Sequence, residues 1–201
     1  ICASGPAPLE EVFRFVVQTF YKAQGRRLTP MECHDICCKI AQSVIVGGVR
    51  RSAMISLSDL ADREMATCKS GAWWESSGHR ALANNSAVYN GRPSMGQFLE
   101  EWTDLYNSHS GERGICNRDA MRAIAVKAGR DGQYYFGTNP CSEIILRPDQ
   151  FCNLSTVVVQ ADDTLESLSR KIEMATVIGT VQSTFTHFPY LDENWVQNCV
   201  D

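Results

Sequence analysis

A chain of 201 residues with 44% hydrophobic and 21% charged residues has the makeup of an ordinary globular protein. Its net charge of -4 supplies no basic field, which argues against nucleic acid or an anionic membrane as the main partner. No apolar run approaches the length of a membrane span, no secretory leader opens the sequence, and nine cysteines, an odd count, do not suit a disulfide framework. Mostly free thiols in a reducing cytoplasm are therefore expected. The start at Ile1 in a turn-like stretch, and the end at Asp201 just after a helical pattern, read as cuts through a longer polypeptide.

Along the chain, Leu9 to Gln24 carries apolar residues at helical spacing and stops at Gly25. Thr29-Pro30-Met31-Glu32 has the form of a capping box with proline in the first turn, and predicts a helix running to Gly47-Gly48. Ser52 to Ser58 alternates like a half-buried strand, and Asn85 to Tyr89 reads as another. Between them, residues 61–80 have no clear periodicity. Ser94 is placed to cap a helix over 95–107, and 108–114 reads as loop. Glu143 to Leu146 and Leu154 to Val159 read as strands, and Asp163 with Glu166 predicts a helix over about 164–186. Helices alternate with strands, so the fold class is α/β.

Chemistry gathers at 137–153, GTNPCSEIILRPDQFCN. If 139–143 is extended, Asn139, Cys141 and Glu143 share one face. An amide can bind a hydroxyl, a carboxylate can take its proton, and a thiol between them can reach the same carbon. Pro140 cannot donate to a ladder, so a loop or sheet tip is expected there. Cys152 follows eleven positions after Cys141, beyond a turn at Arg147-Pro148-Asp149-Gln150 that would return it to the same cavity. Two thiols in one polar pocket suggest redox work, because a dithiol gives up two electrons on closing to a disulfide.

Elsewhere the bland reading prevails. Cys33-His34-Asp35-Ile36-Cys37-Cys38 lacks a second ligand pair, so core cysteines are expected and no metal. His79, His109 and His187 have no spaced carboxylate or serine partner, and Trp73, Trp74 and Trp102 read as core filling. Cys68, Cys116 and Cys199 read as packing residues.

Asn139-Pro140-Cys141-Ser142-Glu143-Ile144, followed by Cys152-Asn153-Leu154, resembles the active-site loop of ribonucleotide reductases. The short gap between the cysteines resembles the adenosylcobalamin-dependent class II enzymes. Gly47-Gly48-Val49-Arg50-Arg51-Ser52-Ala53 resembles the loop linking the allosteric specificity site to the substrate base. Ser4-Gly5-Pro6-Ala7-Pro8-Leu9 and Asn84-Asn85-Ser86-Ala87-Val88 resemble the segment before the long helix and a barrel strand near the substrate. Nearly the whole chain takes part.

The resemblance implies the central part of a ten-stranded α/β barrel over 1–201, with a finger loop carrying the radical cysteine. It implies a thiyl radical on Cys141, a general base in Glu143, hydroxyl binding by Asn139, and Cys152 as one of two reducing thiols. The partner of Cys152 is expected before Ile1, so the chain alone is not expected to turn over. Gly47, Gly48, Arg50 and Arg51 fall in the effector-responsive loop. Implied cofactor and partners are adenosylcobalamin, a ribonucleotide, leaning to triphosphates, a deoxynucleotide or ATP effector, and a thioredoxin-type reductant. Two rivals are a class I reductase with a separate radical subunit and a thiol redox-sensing domain.

Overall fold

The computed structural model of the chain describes residues 5–44 and 52–200, the side chains of 199 and 200 excepted. Gly47, Gly48, Arg50 and Arg51 lie outside the described residues.

Helix α1 spans Ala7–Lys22 and is closed by Gly25 at φ 84°, a conformation that glycine adopts without a Cβ clash. Helix α2 (Pro30–Ser43) starts where the sequence places it. The Thr29 hydroxyl accepts from Glu32 N–H at 3.2 Å while the Glu32 carboxylate accepts from Thr29 N–H at 2.9 Å. This helix ends at Ser43, with Val44 as its cap, short of the predicted Gly47.

Strand β1 (Met54–Asp59) leads into two short helices, α3 (Arg63–Thr67) and α4 (Trp73–Ser77), and a 3-10 turn over Gly78–Leu82. This is the stretch whose periodicity was unreadable, because each piece is only about a turn long. Strand β2 (Ala83–Tyr89) pairs parallel to β1, with Ile55 opposite Asn84 and Leu57 opposite Ser86. Helix α5 (Met95–Ser108) is capped by Ser94 and Gln97 and returns the chain to β3 (Gly114–Asn117), which pairs parallel to β2. The three strands form one sheet in order β1-β2-β3, with helices in the crossovers that parallel pairing requires. The predicted loop 108–114 therefore gives its ends to α5 and β3.

Asn117 caps α6 (Arg118–Lys127) by accepting from Ala120 N–H at 3.0 Å. Residues Gly137–Thr138 (β4) and Ile145–Leu146 (β5) form a small antiparallel hairpin. Helix α7 (Leu165–Ser183) is capped by Thr164 with Ser167, one residue later than predicted. Asp163 instead accepts from Ser167 Oγ at 2.8 Å and from Lys171 Nζ at 2.7 Å. Helix α8 spans Glu193–Val200.

The strand predicted over Leu154 to Val159 does not form. Among the described residues no strand offers it a ladder, and it runs beside α7, where Asn153 Nδ2 donates to the Gly179 carbonyl at 2.9 Å and Lys171 Nζ to that of Val158 at 3.2 Å. The buried centre is built from α2, α3, β2 and Phe136, whereas none of the described residues from 153 to 198 is buried. Trp74 and Trp102 are also exposed, against the core reading. Among the described residues no helix is long and apolar enough to cross a membrane.

Candidate active site

The alternation of β2 decides which polar groups face which layer. Ala83, Asn85, Ala87 and Tyr89 are buried, while Asn84 is exposed on the opposite face. Asn85 meets α2. His34 Nε2 lies 3.2 Å from its Oδ1, and its Nδ2 donates to Cys68 Sγ at 2.9 Å. Asp35 accepts a forked pair from Arg80, both at 2.7 Å, and Arg80 also donates to the Cys68 carbonyl at 2.8 Å. His79 Nε2 is 3.2 Å from Asp35 Oδ1 but off the hydrogen-bond axis, so His79 does have a carboxylate neighbour, supplied from 44 positions away. Lys69 donates to the Ala83 carbonyl and to both carboxylate oxygens of Glu112 at 2.9 Å.

This network locks packing together. Burial pushes the Asp35 carboxyl up, but hydrogen bonds from Arg80 and His34, with His79 close by, outweigh that and hold it well below the usual carboxylate range. Burial, with the Asp35 charge adding to it, pushes the Cys38 thiol up to about 12. Burial raises Cys68 and Cys116 as well. These thiols stay protonated and inert. Cys33 and Cys37, by contrast, are exposed on α2, so the core reading holds for Cys38 and fails for them.

On the other face lies the β4–β5 hairpin, whose six-residue connection is 139–144. It is the loop at a sheet tip that Pro140 leads one to expect, and it turns instead of running extended. Ser142 N–H donates to the Asn139 carbonyl at 2.9 Å, Ser142 adopts φ 69°, and Ile144 N–H donates to Asn139 Oδ1 at 3.0 Å. Asn139 is buried and closes the loop through its own side chain, leaving Nδ2 as the donor for a hydroxyl. Cys141, Ser142 and Glu143 form the exposed tip. Among the described residues, Glu143 has no enclosing low-polarity pocket.

Several basic residues hold the hairpin. Arg118, nearly fully buried, donates to the Phe136 carbonyl at 2.9 Å and to Asn90 Oδ1 at 2.9 Å, and stacks 3.6 Å from the Tyr135 ring centre. Phe136 itself is fully enclosed. Arg130 donates to the Ile145 carbonyl at 3.0 Å. The predicted turn at 147–150 is present: Arg147 N–H donates to Gln150 Oε1 at 2.8 Å, and Asp149 adopts φ 56°. Arg147 and Gln150 both donate to the Asn198 carbonyl in the last turn of α8, where a cation meets the negative helix end.

Cys152 is half-buried and lines a cavity of about 490 Å³ with Gln150, Phe151, Gln182, Phe185 and Phe188; Asn139, Cys141 and Glu143 are not among its walls. Both sulfurs are free thiols. The structure therefore gathers Asn139, Cys141 and Glu143 on one hairpin and sets Cys152 in a separate recess behind the following turn. Sequence reasoning missed Asn84, Arg118 and Arg130 as supports of the hairpin. Their partners lie 15 to 56 positions away, so only the cap at Asn117 left a local signal near them.

No protein-family model matches the chain, and no solved structure matches it. Curated proteins do. Over 162 residues the chain is 33% identical to the adenosylcobalamin-dependent ribonucleoside-triphosphate reductase of Lactobacillus gasseri, covering 77% of this chain and 21% of that protein. Over 197 residues it is 31% identical to the protein of the same name from Levilactobacillus brevis, covering 94% and 25%. That of Lactobacillus leichmannii is 33% identical over 165 residues, covering 77% and 21%. The chain spans about a quarter or less of the length of these relatives.

Proposed function

This chain belongs to the adenosylcobalamin-dependent ribonucleotide reductases over the region it shares with them, and on that premise we propose that the full-length protein reduces ribonucleoside triphosphates to 2′-deoxyribonucleotides. The observation that carries the proposal is an exposed thiol, Cys141, at the tip of a braced hairpin, between an asparagine and a glutamate. Adenosylcobalamin is bulky, and a thiol open at a hairpin tip fits a radical source of that size. Bound there, it supplies the organic radical that oxidises the thiol.

Cys141 in thiyl form takes the ribose 3′ hydrogen and returns it after the 2′ hydroxyl leaves as water. Glu143 accepts the 3′ hydroxyl proton, and Asn139 Nδ2 holds a ribose hydroxyl while Oδ1 keeps the loop closed. Cys152 is one of two thiols that together give two electrons and close to a disulfide; its partner lies outside the 201 residues, and a thioredoxin-type protein restores the pair. Gly47, Gly48, Arg50 and Arg51 carry the effector signal, from a deoxynucleotide or ATP, to the substrate base. The surrounding architecture is the ten-stranded barrel, of which β1, β2 and β3 are three strands and the β4–β5 hairpin the finger loop.

The test is an assay of the full-length protein with adenosylcobalamin and no second subunit. Deoxynucleotide formation supports the proposal, and a strict need for a second subunit overturns the cofactor assignment. Glu143→Gln is expected to lower kcat by about 100-fold or more, the usual contribution of a positioned general base. A variant that keeps full turnover removes Glu143 from its role.

A further inference from the structure

The β4–β5 hairpin lies across the face of the sheet that carries Asn84. Leu57 and Ser86 are register partners and share that face, and a Cβ at Gly137 would sit 3.6 Å from Leu57 Cδ1, so the stem rests on the strand beneath. At the tip, Asn84 Nδ2 donates to the Pro140 carbonyl at 2.7 Å, bridging 56 positions of sequence.

That carbonyl has a particular meaning for the thiol. It belongs to the peptide unit whose nitrogen is that of Cys141, and the six atoms from Cα of Pro140 to Cα of Cys141 are held in one plane. The proline ring fixes φ of Pro140, so ψ of Pro140 is the torsion on the near side of the unit that the hydrogen bond holds. A hydrogen bond that fixes this oxygen therefore orients the Cys141 N–H and Cα directly, leaving φ and the side-chain torsion of Cys141 to place the sulfur. The closure by Asn139 and Ile144 fixes the base of the loop; the Asn84 contact fixes the apex. Asn84 itself is exposed and anchors no core, so the bond serves the loop and not the sheet.

We propose that Asn84 is the positioning residue for Cys141: from β2 it sets the height and direction of the thiol-bearing tip over the open face of the sheet. The structural part rests on geometry alone, and its consequence for turnover rests on the reductase reading above.

The test compares Asn84→Asp, isosteric but without the donor, and Asn84→Gln, which keeps the amide, in the full-length protein. The probe is iodoacetamide, with each cysteine followed by peptide mass spectrometry. Cys141 is already open to the reagent, so in Asn84→Asp its labelling rate should shift about fivefold as the tip is released and a carboxylate replaces the amide, the weight of one hydrogen bond. Cys33 and Cys37 should react as before, and Cys38 and Cys68 should stay protected, which reports an intact fold. Turnover should fall about 100-fold in kcat with KM little changed, as expected when a reacting group is misplaced by about 1 Å. Asn84→Gln should restore part of both. Unchanged Cys141 labelling in Asn84→Asp overturns the inference. If the parent protein reduces no ribonucleotide yet Cys141 labelling still responds to Asn84→Asp, the positioning role stands and the reductase reading falls.

Discussion

Asn84 and Asn85 are identical neighbours on one strand, yet they serve the two faces of the sheet in opposite ways. Asn85 is buried, and its side chain ties His34 of α2 to Cys68 in a layer already crossed by the Asp35–Arg80 and Lys69–Glu112 pairs. Asn84 is exposed and reaches a single loop carbonyl. The face with more charge, more cysteines and more histidines is the structural one, where most of these groups are tied to one another. The sparser face carries an exposed thiol, Cys141, and an exposed carboxylate, Glu143, at the hairpin tip. Density of titratable groups is thus a poor guide to the reactive face; what counts is whether their hydrogen-bonding capacity is already spent.

The comparison is broken most forcefully at Arg80. Arg80→Ala leaves the Asp35 carboxylate part-buried beside α2 without its forked partner, and should cost about 3 kcal/mol of unfolding free energy in urea titrations. Because Asp35 is held below its ordinary value in the folded state, its stabilisation is present above about pH 4 and lost as the pH falls further. Wild-type stability should therefore drop on acidification below that point, and Arg80→Ala should flatten the drop. A smaller loss comes from the asparagines themselves. Asn85→Ala should cost about 2 kcal/mol by orphaning His34 and Cys68, against about 0.5 kcal/mol for Asn84→Ala, in the same titrations. Equal losses at the two positions would erase the distinction between the faces. The mildest test is Thr29→Ala, which removes half of the capping box that starts α2 and should cost about 1 kcal/mol while leaving Cys141 labelling untouched.

Much of the helical framework was legible because its signals are local. Thr29 with Glu32 and Ser94 with Gln97 satisfy backbone groups three residues away, and a strand such as β2 shows its period of two within seven residues. Legibility failed where the deciding partner was distant. Leu154 to Val159 has strand composition but, among the described residues, no strand to pair with. Pro140 signals the loop at 139–143, but its shape depends on the Asn139–Ile144 closure, which folds it into a turn and removes the shared face an extended segment would have. Cys33 and Cys37 share a helix with Cys38, and only the tertiary packing of the α2 face that also carries His34 picks out Cys38 as the buried thiol.

By itself the sequence determined where α2 and α5 begin, which residue types sit on the Cys141 loop and which protein family they match. Caps, turns and motifs act over a few bonds, so the chain carries them wherever it goes. The tertiary structure alone decided which face of β2 is closed, which carboxylate Arg80 clamps, and that Asn84 rather than its neighbour meets the thiol loop. Those contacts join residues 45 to 56 positions apart. They exist only once the parallel register of β1, β2 and β3 has brought distant backbones within hydrogen-bonding distance.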